Sequence, residues 1–127
     1  MNLKTSWNLL WSWAKPEVDF NKLLVFQKVN HYPQNKNLSR KDLLYKNLDN
    51  FKKITKTSIG FVPLTFNLPK EYSAFSAKFH EDQSLEGSMN IWIMKPIGKS
   101  RGRGIKLINN LADLNYLDSI VVQKYLK

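Results

Sequence analysis

A short apolar strand that ends in lysine and leads into a glycine-rich, basic loop constrains this chain more than any other feature. Residues 92–96 have the sequence Trp-Ile-Met-Lys-Pro. Three glycines punctuate the loop that follows: Gly98, Gly102 and Gly104. A lysine at the end of a buried strand can pair with phosphate oxygens, and glycines let backbone N–H groups approach an anion closely. The pattern predicts a strand–loop–strand unit that holds an anion; a plain basic hairpin loop is the alternative.

Spacing excludes two familiar phosphate-binding motifs from this loop. A Walker loop requires a glycine five residues before Gly98, where the chain has Ile93. A dinucleotide fingerprint built on Gly102 and Gly104 requires a third glycine, and that position is Leu107. The loop therefore remains a candidate of another phosphate-binding type.

The first half of the chain combines an aromatic segment with an amphipathic helix. Apolar residues occupy every second position from Trp7 to Trp13, which predicts a strand with one apolar face. Such a face belongs to a core more often than to a membrane interface. Ser39 has the character of a helix N-cap with Asp42 in the first turn, and the apolar stripe that follows predicts a helix over residues 40–54.

The second half adds strands and helices in alternation, which is typical of the α/β (α+β) class. Residues 61–66 are predicted as a strand, and Pro69 suits a first helical turn. The buried face of that helix is formed by Tyr72, Phe75 and Phe79. Further strands are predicted over 90–95, 105–108 and 119–126. A short helix, capped by Asn109 or Asn110, carries Leu111, Leu114 and Leu117.

Charge and composition restrict the function classes. Lys and Arg number 20 against 10 Asp and Glu, a net charge of +10, with most of the excess in residues 1–60. An acidic partner follows: nucleic acid, an anionic membrane, a nucleotide or an acidic protein tail. The absence of cysteine excludes disulfide scaffolds, Cys-type zinc sites and thiol catalysis. His31 and His80 lack the spacing of a metal pair, and His31 is predicted to be a loop hydrogen-bonder.

Blocks of sequence in a fixed order resemble the tubulin–tyrosine ligase-like family, and within it the tubulin polyglutamylase type. The blocks are residues 7–12, 27–33, 39–48, 61–72, 92–96, 100–105 and 121–126. The resemblance implies a partial ATP-grasp fold, with residues 1–127 as part of a single domain. Within it, residues 1–60 are the basic N-terminal subdomain portion, and residues 61–127 are an incomplete central ATP-binding subdomain.

The resemblance also implies a reaction and its participants. Family members ligate amino acids, typically glutamate, onto glutamate side chains in the acidic C-terminal tails of tubulin. ATP phosphorylates the acceptor carboxylate, the incoming amine attacks the acyl phosphate, and ADP and phosphate leave. Cations and Mg²⁺ neutralise the developing charge. The implied cofactors are ATP and Mg²⁺, and the implied partners are tubulin tails, microtubules and free glutamate, with no nucleic acid and no membrane.

Positions that match the family's motifs become candidate site residues. The resemblance implies a phosphate-binding role for Lys95 and a phosphate-covering loop that contains Arg101, Gly102 and Arg103. The strand that lines the adenine pocket corresponds to Gln123, Lys124, Tyr125 and Leu126. Arg40, Lys41 and Arg101 are candidates for contact with the acidic tail. Arg101 stands where many relatives have glutamine, which weakens the case for a tail contact there.

The family's pattern continues beyond this sequence. Relatives follow the 123–126 block with a Lys-x-Asp-x-Arg block and with the carboxylates and asparagine that hold Mg²⁺, so catalytic and metal residues are expected beyond Lys127. The expectation is therefore a fragment that is inactive alone. The alternatives are a non-catalytic tubulin-binding module and, on charge alone, a nucleic-acid binder. No apolar stretch suits a membrane span or a signal peptide. The expected location is cytoplasmic, at the cytoskeleton, a cilium or a basal body.

Overall fold

The computed structural model describes residues 7–114 and 118–126. The chain divides into two compact units, with the boundary between Lys36 and Asn37. Within the described ranges, none of the helices has the length and apolar character that crossing a bilayer requires.

The first unit is held together by side-chain amides as well as by a small sheet. The strands β1 (Leu9–Leu10) and β2 (Lys28–Val29) pair in parallel, and a 3₁₀ helix, Phe20–Lys22, lies between them in sequence. The Asn30 amide accepts from the Ser12 N–H at 3.0 Å and donates to the Ser12 carbonyl at 2.9 Å. His31 Nε2 lies 2.9 Å from the same carbonyl, which confirms its predicted role in loop hydrogen bonding.

The predicted strand over residues 7–13 is wrong outside its centre. Because the Asn30 side chain occupies both backbone hydrogen-bonding groups of Ser12, no ladder can continue there. The aromatic face is also not a core face, since Trp11 is 72% exposed and Trp13 is 99% exposed. Only Leu9–Leu10 of this segment is in a strand.

The second unit contains a four-stranded antiparallel sheet with the strand order β3-β6-β4-β5. Its strands are β3 (Thr65–Leu68), β4 (Trp92–Pro96), β5 (Lys106–Ile108) and β6 (Ile120–Lys124). The helices are α1 (Lys36–Ser39), which begins at the unit boundary, α2 (Lys41–Thr55) and α3 (Tyr72–Glu86), with 3₁₀ helices at Gly87–Met89 and Leu111–Asp113. The predicted mixture of helix and strand is confirmed.

The hydrophobic core lies between α3 and one face of this sheet. Residues two apart in a strand share a face, so Trp92 and Met94 of β4 lie on the same side as Val122 of β6. Phe75 of α3 meets the Trp92 ring edge to face, with centroids 5.1 Å apart. Phe75 and Phe79 are buried, as their helical spacing predicted.

The opposite face of the sheet carries polar side chains. Thr65 of β3 lies opposite Gln123 of β6, and Lys95 of β4 lies opposite Val121. Helix α2 contacts β3 and β6. This face therefore places Lys95 and Gln123 between a helix and a sheet, away from the aromatic core.

Helix α2 begins one residue later than predicted, and its cap is different. Ser39 ends α1, and Arg40 is the N-cap residue of α2 without a side-chain capping bond. Asp42 accepts from Arg40 Nε at 3.1 Å and Nη2 at 2.8 Å. The ion pair replaces the predicted capping arrangement at Ser39. The helix ends at Thr55, where Lys56 adopts a left-handed conformation with φ 53°.

Three other predicted boundaries move because turns occupy the flanking residues. The predicted strand over 61–66 begins only at Thr65, since Val62 N–H donates to the Ile59 carbonyl in a turn. Helix α3 begins at Tyr72 rather than Pro69, whose carbonyl accepts from the Tyr72 N–H. The predicted helix after Asn110 is a single 3₁₀ turn; Asn110 caps it by accepting from the Ala112 N–H. Leu117 lies outside the described residues.

Candidate functional site

A chain of hydrogen bonds crosses the polar face of the sheet and orients Lys95. The Lys95 ammonium donates to Gln123 Oε1 at 2.7 Å. Gln123 Nε2 donates to Thr65 Oγ1 at 2.9 Å, and that hydroxyl donates to the Pro63 carbonyl at 2.8 Å. Because the Thr65 hydroxyl uses its proton on the Pro63 carbonyl, it accepts from the Gln123 NH₂ group. The Gln123 oxygen is therefore held toward Lys95.

A cavity of about 160 Å³ opens between α2 and this face of the sheet. The helix and the sheet each contribute both apolar and polar side chains to its lining: Lys41, Leu44, Tyr45, Leu48, Val62, Thr65, Lys95, Val121 and Gln123. Burial, followed by the charge of Glu71, raises the pKa of Tyr45 to about 12, so this phenol stays neutral at physiological pH. The charges that line the cavity are thus the two ammonium groups.

The two lysines give the cavity an uncompensated positive charge. Burial, and after it the charge of Lys41, lowers the pKa of Lys95 below its usual value. Within residues 7–114 and 118–126, Lys95 forms no ion pair with a carboxylate. A partly buried cation without an acidic partner is suited to pairing with an anion.

The glycine-rich loop follows β4 directly and contacts Lys41, which lines this cavity. Arg101, Gly102 and Gly104 have left-handed backbone conformations, with φ values of 57°, 74° and 72°. Arg103 N–H donates to the Ser100 carbonyl at 3.2 Å, and Ile105 N–H donates to the Gly102 carbonyl at 3.2 Å. A Cβ at Gly104 would lie 3.0 Å from Pro96 Cγ in a left-handed backbone, so glycine favours the close approach of the loop to the end of β4.

The Lys124 side chain binds carboxylates of helix α3. Its ammonium donates to Asp82 and Glu86, each at 2.8 Å, and to Asn90 Oδ1 at 2.9 Å. It also lies 5.2 Å from the centre of the Trp92 ring. Asp82 is only 6% exposed. Burial alone would raise its pKa, but the hydrogen bonds from Lys124 and Lys78 outweigh that effect, so the pKa of Asp82 is lowered.

The end of β6 uses its backbone within the sheet. Lys124 N–H donates to the Leu64 carbonyl at 2.8 Å, and Tyr125 N–H donates to the Ile91 carbonyl at 3.1 Å. The Tyr125 and Leu126 side chains are exposed. The adenine-lining role of residues 123–126 stays a prediction. The N–H groups of Lys124 and Tyr125 already donate to other carbonyls, so an adenine ring would have to bind other backbone groups of this segment.

Of the three residues predicted to meet an acidic tail, Arg101 lies in the loop after β4, and Arg40 and Lys41 lie in different surroundings at the start of α2. Arg40 is paired with Asp42, and a hydrogen bond from Arg40 is the main cause that lowers the pKa of Asp42. Lys41 instead lines the cavity and donates to backbone carbonyls of Pro96 and Lys99. The structure thus brings Lys41, Lys95 and Gln123 together, with the loop that contains Arg101, Gly102 and Arg103 directly after β4.

Sequence reasoning missed three contributors to the site and its surroundings. Thr65 orients Gln123, and only the strand register places them side by side. Asp82 and Asn90 anchor Lys124. Asp82 follows Phe75 and Phe79 on the helical stripe of α3, and an acid on a buried stripe was a signal that could have been used. In the described part of the chain, no cluster of His, Asp and Glu has the arrangement of a metal site.

Comparisons with known proteins identify one family. The model described as "Tubulin-tyrosine ligase family" matches residues 19–127. "Probable tubulin polyglutamylase TTLL2" is 36% identical in Homo sapiens and 40% identical in Mus musculus, each over 94% of this chain. "Tubulin polyglutamylase TTLL5" of Homo sapiens is 38% identical over 96% of the chain. The chain spans 21%, 23% and 9% of the lengths of these three relatives.

Proposed function

The chain belongs to the tubulin-tyrosine ligase family, and on that premise we propose that it forms a nucleotide-holding part of a tubulin polyglutamylase. Such an enzyme is an ATP-dependent ligase that adds glutamate to glutamate side chains of tubulin C-terminal tails. The names of the relatives, which are tubulin polyglutamylases, support the choice of tubulin as substrate. The proposed fold is a partial ATP-grasp fold, which the antiparallel sheet with flanking helices accommodates.

The observation that carries the proposal is the positive cavity beside the glycine-rich loop. Lys95 is partly buried, lacks a carboxylate partner in the described residues and faces a space that Lys41 also lines. Phosphate oxygens would supply the negative charge that balances the two ammonium groups. The residues present therefore fit the phosphates of a nucleotide.

Lys95, Gln123 and the arginines of the loop each have a role in the proposed reaction. Bound ATP would supply the phosphoryl group that activates the acceptor carboxylate as an acyl phosphate, with ADP as the leaving group. The amino group of glutamate would then displace phosphate and lose a proton, which forms the amide bond. Lys95 holds phosphate oxygens, and Gln123 fixes the Lys95 ammonium in position. Arg101 and Arg103 extend the positive field along the loop, where charge develops during transfer. Mg²⁺ would be held by residues other than those described.

The proposed setting follows from the substrate. Tubulin tails, microtubules and free glutamate are the proposed partners, and the proposed location is the cytoplasm, at the cytoskeleton, a cilium or a basal body. The net charge of +10 supports association with an acidic tail.

Calorimetric titration of the 127-residue chain with ATP tests the nucleotide site. Lys95→Met should weaken binding about 10-fold or more, because a hydrogen bond to a charged group contributes about 1.5–3 kcal/mol. Lys106→Met is the matched control, since Lys106 is an exposed lysine of the neighbouring strand β5. Equal affinities of the Lys95→Met variant and the control would overturn the site.

Tubulin modification is tested separately by mass spectrometry. Incubated with tubulin, ATP, Mg²⁺ and glutamate, this chain should leave the tails unextended, because the proposal assigns it nucleotide holding and not the metal centre. Extension of the tails would show that the chain contains a complete active site and would overturn that assignment.

A further inference from the structure

Lys41 connects the start of α2 to the two ends of a turn 55 residues away in sequence. Its ammonium donates to the Pro96 carbonyl at 3.1 Å and to the Lys99 carbonyl at 3.0 Å. Pro96 ends β4, and Lys99 lies at the start of the basic loop. One side chain thus binds both the strand that carries Lys95 and the loop that follows it.

The loop needs such an anchor because it is strongly cationic. Lys99, Arg101 and Arg103 lie within five residues, and none of them forms an ion pair with a described carboxylate. Two turn hydrogen bonds and the close approach of Gly104 to Pro96 hold its far end. At its near end, the Ile97 N–H donates to the Ser119 carbonyl at 3.3 Å, and the Lys41 ammonium adds two hydrogen bonds from α2.

We propose that Lys41 is a positioning residue of the nucleotide site, which holds the loop of residues 97–104 against the end of β4 so that the loop and Lys95 face the same phosphates. This role differs from the tail contact that the resemblance implied for Lys41, which stays a prediction. The role in nucleotide binding rests on the proposed nucleotide site. The anchoring of the loop rests only on the two hydrogen bonds from Lys41. An ammonium has three donors and uses two here on carbonyls, which leaves one directed at a ligand or water.

Hydrogen exchange in the unliganded chain tests the anchoring. Lys41→Met removes both hydrogen bonds and leaves two carbonyls unpaired, so amide exchange over residues 100–105 should accelerate about 10-fold or more. Lys46→Met is the control, because Lys46 is an exposed lysine of the same helix. Exchange in α3 should stay unchanged in both variants. Unchanged loop exchange in a folded Lys41→Met variant would overturn the inference.

Ligand discrimination separates positioning from general damage. Lys41→Met should weaken ATP binding about 10-fold or more while adenosine binding changes less than about 2-fold, since only the phosphates meet the loop. Lys41→Arg, which keeps charge and several donors, should restore both loop protection and ATP affinity. Equal loss of ATP and adenosine binding, or no rescue by arginine, would contradict a positioning role.

Two results keep this inference distinct from the proposed function. If the wild-type chain binds no ATP, the nucleotide site fails, yet loop exchange in Lys41→Met still decides whether Lys41 anchors the loop. If Lys41→Met does not fold, nitrogen-15 NMR of the wild-type ammonium decides instead. A slowly exchanging Lys41 signal is expected, and a freely exchanging one would overturn the anchoring.

Discussion

The positive charge of Lys95 is less favourable in the folded chain than in the unfolded one, and this makes the site sensitive to pH. Its lowered pKa means that the unfolded chain, whose lysine pKa is about 10.5, holds the proton more tightly than the folded one. The unfavourable contribution is present in full below the lowered pKa. It is relieved as the pH rises through that value toward 10.5. An anion bound beside the ammonium would return the pKa toward its ordinary value.

ATP affinity should therefore fall as the solution becomes alkaline. Above the lowered pKa of Lys95, binding requires uptake of a proton, so the association constant should decrease with rising pH up to about 10.5. Titration calorimetry from neutral to alkaline pH, in buffers of different ionisation enthalpy, measures both affinity and proton uptake. In Lys95→Met the decrease should be absent; a slope that survives the substitution would assign the titration to another group.

Asp82 is the second residue whose charge state matters, here for stability. Asp82→Asn leaves the Lys124 ammonium with Glu86 and Asn90 but without the more buried of its two carboxylate partners, so the free energy of unfolding should fall by about 1–3 kcal/mol. Because the folded pKa of Asp82 is lowered, its contribution is present above about pH 3.8 and is lost as the pH falls through the folded value.

Urea unfolding as a function of pH measures the effect of Asp82. The wild-type chain should lose stability more steeply than Asp82→Asn in the acid range. Glu81→Gln is the control, since Glu81 is an exposed partner of Lys78 and should change stability by less than about 0.5 kcal/mol. Identical acid profiles for wild type and Asp82→Asn would remove Asp82 from the explanation.

At the scale of elements, the loop after β4 depends on Gly104. Gly104→Ala introduces a Cβ at 3.0 Å from Pro96 Cγ in a left-handed backbone, and should cost about 1–3 kcal/mol of unfolding free energy. In Gly102→Ala the added Cβ would meet no atom within 4 Å, so the left-handed backbone is the only source of strain. This variant should lose less unfolding free energy than Gly104→Ala. Chemical unfolding, with hydrogen exchange of the loop, measures both variants.

Gly98→Ala is the control for this pair, since its Cβ would meet open space and its backbone is not left-handed. Its stability should match the wild type within about 0.5 kcal/mol. A Gly104→Ala variant as stable as Gly98→Ala would show that the loop relaxes without cost.

Elements with a strong apolar period were predictable from the sequence. The stripe of α2 and the buried Phe75 and Phe79 of α3 follow from helical spacing alone. The Trp7–Trp13 strand failed because a distant asparagine occupies the backbone of Ser12, and no local pattern contains that contact. The start of α2 moved because Asp42 binds Arg40, a choice between two neighbouring partners that spacing does not decide.

The candidate site was predictable only in part, for the same physical reason. Lys95, the loop and Gln123 could be placed by resemblance, since each lies in a short block of sequence. Thr65 and Asp82 act through residues on other strands and helices. Their roles depend on the order β3-β6-β4-β5, which no short block specifies.

At the scale of the whole molecule, the net charge of +10 should govern the proposed association with tubulin. The 127-residue chain should co-sediment with microtubules at low ionic strength and be released by salt, because the screening length falls from about 10 Å at 0.1 M to about 3 Å at 1 M. Binding at low salt would support steering by charge, and absent binding there would contradict it.

Proteolytic removal of the tubulin tails distinguishes tail recognition from contact with the microtubule body. If charge steers this chain to the tails, tail-less microtubules should lose most of the salt-sensitive binding while sedimenting normally. Lys46→Gln, on the exposed side of α2, should weaken binding slightly through net charge, whereas Lys95→Met should weaken it by no more than that, because the Lys95 ammonium faces the cavity. Binding that survives tail removal would place the contact on the microtubule body and would separate tubulin binding from the proposed ligase chemistry.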